Sequence, residues 1–198
     1  MIRDNKSNRV RVVVTGLGAM SPLGESPESL WNGLVNGTSG IDKMKITDST
    51  EFPCKFSGEV LDFDPTVYMD RKEARRMGRF SQFAVAAAQQ ALNHSGLDLD
   101  NEDRERIGVV LGNGSGGYPE TEQAVRTLVG RGGMKINPFY LPTMLCNMAA
   151  ANVSRLNGFY GYTNTIVTAC AAGTQGIGEA AEAIRRGAAD VIVSGGTE

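Results

Sequence analysis

Short apolar runs punctuate the chain, each followed by small residues and then by a pattern of helical period. Val10 to Thr15 (VRVVVT) is closed by Gly16, Gly18 and Pro22. A nearly continuous β-branched run of this kind suits a strand covered on both faces. Ile107 to Leu111 (IGVVL) repeats the signal and leads into Gly112-Asn113-Gly114-Ser115-Gly116-Gly117. Thr165 to Thr168 (TIVT) and Asp190 to Ser194 (DVIVS) are predicted as the third and fourth strands.

Helical periodicity fills most of the intervals. Ser26-Pro27-Glu28 supplies an N-cap, a first-turn proline and a first-turn acid, and Leu30, Trp31, Leu34 and Val35 form an apolar stripe ahead of Asn36-Gly37. From Asp70 the pattern is helical again, with Phe80, Phe83, Ala84, Ala87, Ala88, Ala91 and Leu92 tracing a stripe that stops at Ser95-Gly96. Pro119-Glu120 opens another helix. One helix is predicted over Pro142 to Leu156, with Gly158 just past its end, and one over Ala171 to Arg186, closed by Gly187. Thr38 to Tyr68 lacks sustained period and reads as loops and short strands. Strands alternating with helices give an α/β fold with a mostly parallel sheet. No repeat, low-complexity tract or linker divides the chain, so residues 1–198 read as a single domain.

Composition narrows the function classes. The 198 residues are 41% hydrophobic and 21% charged, near globular averages. Twenty-five glycines point to tight turns and close backbone approaches, as at ligand sites beyond strand ends. With 20 basic and 22 acidic residues the net charge of −2 gives no general attraction to nucleic acid or an anionic membrane. The start (MIRDNKSNRV) is polar, and no apolar run reaches the ~20 residues of a membrane span, which reads as a cytoplasmic protein. Cys54, Cys146 and Cys170 are widely spaced and odd in number, which argues against a disulfide framework or a zinc site and for a reducing compartment.

Cys170 has the setting of a nucleophile. Thr168-Ala169-Cys170-Ala171-Ala172-Gly173 joins a predicted strand to a predicted helix, and its small residues permit a sharp turn that projects the sulfur. Helix N-terminal N–H groups favour thiolate over thiol and can hold an oxyanion. The arrangement parallels the serine elbow of hydrolases, with sulfur in place of oxygen. Gly173, Gly176 and Gly178 in the following helix each cost ~1 kcal/mol against alanine, so that helix is expected to press on neighbouring backbone. Cys54, in an irregular stretch, and Cys146, expected inside a helix, read as structural.

The remaining features are less pointed. Gly16-Leu17-Gly18 lacks the third glycine of a dinucleotide fingerprint, and neither glycine-rich turn carries the Gly-Lys-Ser/Thr of a P-loop, so no nucleotide site is expected. The Gly112 to Gly117 loop shares a sheet edge with Cys170 and either lines a substrate channel or only turns the chain. Arg71, Lys72, Arg75, Arg76 and Arg79 gather charge on one helical face; such runs are mostly solvated, although this one would complement an acidic partner helix. His94, the single histidine, reads as a surface or capping residue.

Taken together, RVVVTGLGAMSPLG, GNGSGG, TACAAGTQ and DVIVSGGTE resemble the β-ketoacyl-acyl carrier protein synthases, the elongating synthase II type above all, over essentially the whole chain. The resemblance implies the N-terminal half of a thiolase-like fold, an incomplete α/β unit with a mostly parallel sheet and flanking helices, from a homodimeric enzyme. It implies that Cys170 takes an acyl group from the phosphopantetheine thioester of acyl carrier protein, with its own N–H in the oxyanion hole and no cofactor. It implies carrier docking by Lys72, Arg75 and Arg76, an acyl pocket lined by Ser115, with Tyr140 reaching the pocket of the neighbouring subunit, and dimer pairing along the strand 164–168. Ser115 stands where this subgroup often has a larger apolar residue. Family enzymes are about twice as long, and their decarboxylating histidine pair, with a lysine and a phenylalanine gate, belongs to the half this sequence lacks. Condensation by this chain alone is therefore not expected, and an incomplete sheet would expose apolar surface and an open edge unless a separate C-terminal half covers it. Two other readings stand beside elongation: another thiolase-fold acyltransferase, such as a polyketide ketosynthase domain, and an inactive partner that only dimerises or binds carrier protein. Retention of Cys170 weighs against the last.

Overall fold

A computed structural model describes residues 10–198; the polar start of the chain, residues 1–9, lies outside the described residues. Helix α1 spans Pro27–Val35 and opens on a reciprocal cap, in which Ser26 Oγ accepts from Ser29 N and Ser29 Oγ accepts from Ser26 N, each at 3.1 Å. Strands β1 (Ile41–Lys43) and β2 (Phe56–Gly58) pair antiparallel in the excursion that follows. A short helix α2 (Arg71–Ala74) precedes the long α3 (Arg79–Ser95), which ends on Gly96 in the left-handed conformation. Strand β3 (Ile107–Gly112), helix α4 (Tyr118–Arg131), helices α5 (Tyr140–Met144) and α6 (Met148–Asn157), strand β4 (Thr163–Ile166), helix α7 (Ala172–Arg185) and strand β5 (Val191–Gly196) complete the series.

The main sheet has the order β4-β3-β5, with both pairs parallel. All six residues of β3 are buried, as befits a central strand. Ile107, Val109 and Leu111 share a core with Phe80, Ala84, Ala88 and Leu92 of α3 and Ala149, Ala150 and Val153 of α6. The alternate residues of β3 meet α7, where Gly112 lies against Ala172. Three layers result, α3 and α6 on one face of the sheet and α7 on the other. Each fully buried valine of β3 contributes about 1.5–3 kcal/mol of apolar transfer.

Several expectations need correction. The run Val10 to Thr15 forms no strand among the described residues: Val10 makes a single bridge, residues 11–20 carry no ladder, and Val13 and Val14 are 63% and 74% exposed. Among the described residues β5 pairs only with β3, so its outer edge is open, and a hollow of about 250 Å³ bordered by Met20, Phe83 and Thr197 lies between residues 18–20 and the end of β5. The segment is held by α3 instead. Leu17 N donates to His94 Nδ1 at 3.1 Å and Ala19 N to Gln90 Oε1 at 3.0 Å, while Gly16 and Gly18 lie so near the carbonyls of Ala91 and Ala87 that a Cβ would overlap them.

Helix α1 forms where expected, and its apolar stripe is exposed, with Trp31 65%, Leu34 58% and Val35 65% exposed. The single helix expected over Pro142 to Leu156 is two, because Leu145 adopts an extended conformation between α5 and α6. Gly117 N donates to Met144 O at 2.9 Å, giving the freed end of α5 a partner. The helical pattern from Asp70 is likewise divided, at Gly78, into α2 and α3.

Candidate active site

Two parallel neighbours end side by side, and their exits build the site. Beyond β3 the chain enters the glycine-rich loop, and beyond β4 it enters the turn that carries Cys170. Asn113 N bonds Ile166 O at 3.0 Å and so ties the two exits together. The turn does not pass directly from strand to helix: β4 ends at Ile166, and Ala169–Ala171 form one 3-10 turn before α7 begins at Ala172. Cys170 is exposed on that turn. Ala169 has φ +50°, the positive value found at a single non-glycine among the described residues. Such a conformation costs on the order of 1–3 kcal/mol and persists only where surrounding structure imposes it.

The surroundings here are backbone on backbone. A Cβ on Gly112 would stand 2.1 Å from the carbonyl carbon of Ala172, so only glycine lets β3 reach the start of α7. Gly176 would place a Cβ 3.2 Å from both Gly112 N and Gly195 O, and Gly173 one 3.3 Å from Gly196 Cα. The expected pressing of this helix on the sheet thus holds at Gly173 and Gly176. It does not hold at Gly178, which has open space around it.

The loop is fixed from below by residues that motif reading passed over. Asn113 is 1% exposed; its Oδ1 accepts from Gly116 N at 2.6 Å and its Nδ2 donates to Thr197 O at 2.7 Å. Thr197 N donates to Gly112 O at 3.0 Å, and its hydroxyl donates to Phe80 O at 2.6 Å. Glu198 accepts from Gly114 N at 2.5 Å and from Ser115 N at 3.0 Å. The available signal was that GNGSGG and SGGTE both follow strands of one parallel sheet, which brings them to the same edge.

Ser115 is exposed on this loop, one residue past Gly114, where a Cβ would stand 3.6 Å from Ala169 Cα. Tyr140 is half-buried on α5, and its hydroxyl lies 3.5 Å from Thr121 Oγ1 of α4, the helix that leaves the loop. The basic run is not one uniform face. Lys72 and Arg75 are exposed on and just beyond α2, whereas Arg76 stacks on Phe139 with its guanidinium 4.9 Å from the ring centre. Arg79 stacks on Phe83 at 4.9 Å, and its guanidinium donates to Val60 O. Cation–π packing of this kind holds both half-buried guanidinium groups against aromatic rings. No hydrogen bond or ion pair joins Lys72, Arg75 or Arg76 to the Cys170 turn among the described residues.

Cys146 is half-buried in the break between α5 and α6, not inside a helix as expected, and Cys54 is exposed with its thiol 3.3 Å from Phe56 O. His94 is exposed and accepts the hydrogen bond from Leu17 already described. Among the described residues no cluster of His, Cys, Asp and Glu could hold a metal ion, and no helix is long and apolar enough to cross a membrane.

Fold and site define an α/β domain of thiolase-like type that presents a cysteine at a strand-to-helix turn above a glycine-rich loop. Residues 9–198 match the family model of the β-ketoacyl synthase N-terminal domain, and the chain belongs to that family. It is 44% identical over 188 residues to 3-oxoacyl-[acyl-carrier-protein] synthase 2 of Vibrio harveyi, covering 95% of this chain and 45% of that protein. The enzyme of the same name from Staphylococcus aureus strain MRSA252 is 40% identical over 192 residues, covering 97% and 46%. The chain therefore spans about half the length of the curated relatives it matches. Among solved structures, the ishigamide ketosynthase/chain length factor superposes with a TM-score of 0.89 at 28% identity, covering 95% of this chain and 47% of that one. AntDE:AntF, described as a type II PKS acyl-carrier protein in complex with its ketosynthase, gives 0.80 at 29% identity, covering 93% and 49%.

Proposed function

We propose that this chain is the acyl-accepting portion of a 3-oxoacyl-acyl carrier protein synthase of the elongating type. The observation that carries the reading is the exposed Cys170 on a strained turn that glycine contacts fix at the start of α7. In the proposed step the Cys170 sulfur, as thiolate, attacks the thioester carbonyl of acyl carrier protein. The new sulfur–carbon bond replaces the bond to phosphopantetheine, which leaves as its thiolate and takes up a proton. N–H groups at the turn, including that of Cys170, would hold the oxyanion. No cofactor is required, because the substrate arrives on its own phosphopantetheine arm.

Lys72, Arg75 and Arg76 are the proposed carrier-docking residues, with the exposure of Lys72 and Arg75 in support. Ser115 and Tyr140 are the proposed acyl-pocket residues, and the exposure of Ser115 on a loop whose Gly114 lies beside Ala169 supports its part. We further propose dimerisation along 164–168, where β4 is the sheet's outer strand, and a cytoplasmic location, to which three free cysteines are suited. His94, occupied with Leu17, is not a decarboxylating base. Condensation with malonyl carrier protein would thus draw on the region of the relatives that this chain does not span, whether in the same polypeptide or a separate one. Relatives named synthase 2 at 40% and 44% identity favour elongation over the polyketide reading, whose structural neighbours are at 28% and 29%.

The test is incubation of folded chain with medium-chain acyl carrier protein, followed by peptide mass spectrometry. An adduct on Cys170 that C170A lacks is expected. Absence of any adduct, or one spread equally over Cys54 and Cys146, overturns the assignment.

A further inference from the structure

The carboxylate of Glu198 reaches from the end of β5 to the glycine-rich loop and receives two successive backbone N–H groups, Gly114 at 2.5 Å and Ser115 at 3.0 Å. Consecutive N–H groups converging on an anion form a concavity suited to negative charge, and charge-assisted bonds are roughly twice as strong as neutral ones. Gly114 is also where the loop meets the nucleophile turn. A Cβ there would stand 2.8 Å from Glu198 Oε2 and 3.6 Å from Ala169 Cα. The loop is thus enclosed between Glu198 and Ala169, the residue with φ +50° directly before Cys170. From below, Asn113 bonds Thr197 O, so consecutive residues at the end of β5 grip both the start and the middle of the loop.

We infer that Glu198 is a positioning residue for Cys170: its carboxylate clamps Gly114 and Ser115, and the clamped loop holds Ala169 in the conformation that presents the sulfur. This rests on the reading of Cys170 as nucleophile. It assigns the terminal carboxylate of the SGGTE sequence a part in the site without contact to substrate.

The test compares wild type, E198A and E198Q in the full chain by two measurements. Hydrogen exchange read by mass spectrometry follows residues 113–117 and 168–173. Iodoacetamide alkylation follows Cys170 against Cys54 as an internal exposed reference, at about pH 10, above the ordinary thiol pKa of about 8.5, so that geometry and not charge is read. E198A is expected to speed exchange in both segments and to lower the Cys170-to-Cys54 rate ratio about tenfold, within the range that small misplacements of reacting groups produce. E198Q keeps one acceptor oxygen but turns an amide N–H toward a donor, and an intermediate ratio is expected. Faster exchange confined to 113–117 with an unchanged ratio overturns the inference. Unfolding of both variants overturns it too, since Glu198 would then serve the fold as a whole. A wild-type ratio near one strikes at the nucleophile reading instead, and linked exchange of the two segments then decides the clamp by itself.

Discussion

Ile107–Gly112 and Val10–Gly16 look alike as sequence, each a β-branched run closed by glycine, yet only one is a strand. The first lies between β4 and β5 with every residue buried; the second carries no ladder, and its Val14 is 74% exposed. Apart from Arg11 and Thr15 in one and Gly108 in the other the side chains are all aliphatic, so the difference points to their neighbours. A strand is a property of a pair, and β-propensity expresses fit to a pleated surface more than an intrinsic backbone preference. The N-terminal segment is laid on α3 through Gly16, Leu17, Gly18 and Ala19, and residues 18–20 border a hollow that lies between them and the end of β5.

Substitutions can break or sharpen this contrast. The largest effect is expected at Gly112, where G112A would force a Cβ to 2.1 Å from Ala172; a loss of about 3 kcal/mol or failure to fold is expected in denaturant unfolding. V110A, at a fully buried position of β3, should cost about 2 kcal/mol in the same measurement. G18A is the more searching variant, because Gly18 lies in no strand yet its Cβ would stand 1.9 Å from Ala87 O. A loss of about 1–2 kcal/mol would show that the segment is pinned to α3, whereas no loss would show that it is loosely laid there. V14A is expected to change stability by less than about 0.5 kcal/mol. A cost as large as that of V110A would mean that Val14 is covered in solution by something that completes the sheet edge.

Acid sharpens the contrast on the other side. Arg106 at the foot of β3 forms a forked pair with Asp190 before β5, at 3.0 and 2.8 Å, and this hydrogen bonding holds the Asp190 carboxyl below its usual range. A carboxylate depressed in the folded state stabilises at pH above its unfolded pKa of about 3.9, and that contribution fades as pH falls through the lower native value. Titration from neutral to acid should therefore loosen the β3–β5 ladder in wild type, and D190N should flatten this part of the pH profile. The effect should be small, because the pair is largely exposed.

Much of the fold was legible because periodicity reports burial. The α3 stripe from Phe80 to Leu92 lies in the core, and β3, β4, α7 and β5 form within two residues or so of the predicted bounds. The break at Leu145 was not legible, since Met144, Leu145 and Met148 keep apolar character across it and the group that meets the end of α5, Gly117 N on Met144 O, comes from the glycine-rich loop far earlier in the chain. Helix α1 formed where its cap and stripe placed it, but its exposure was not legible: period 3.6 shows that a face is apolar, not that something covers it. In the site, Cys170 and the glycine loop could be placed at one sheet edge from strand order alone, but the parts of Asn113, Thr197 and Glu198, although they stand in GNGSGG and SGGTE, became visible only through their bonds.

What the sequence determined by itself is the alternation of strands and helices, the family, and the cysteine at a strand-to-helix turn, because these depend on local period and on residue types at fixed spacing. What only the tertiary structure decided is which runs are strands, which glycines are obligatory and which groups hold the Cys170 turn. Each of those depends on an approach between residues tens of positions apart, as between Gly112 and Ala172 or Gly114 and Glu198, and no local pattern encodes the distance between two distant backbones.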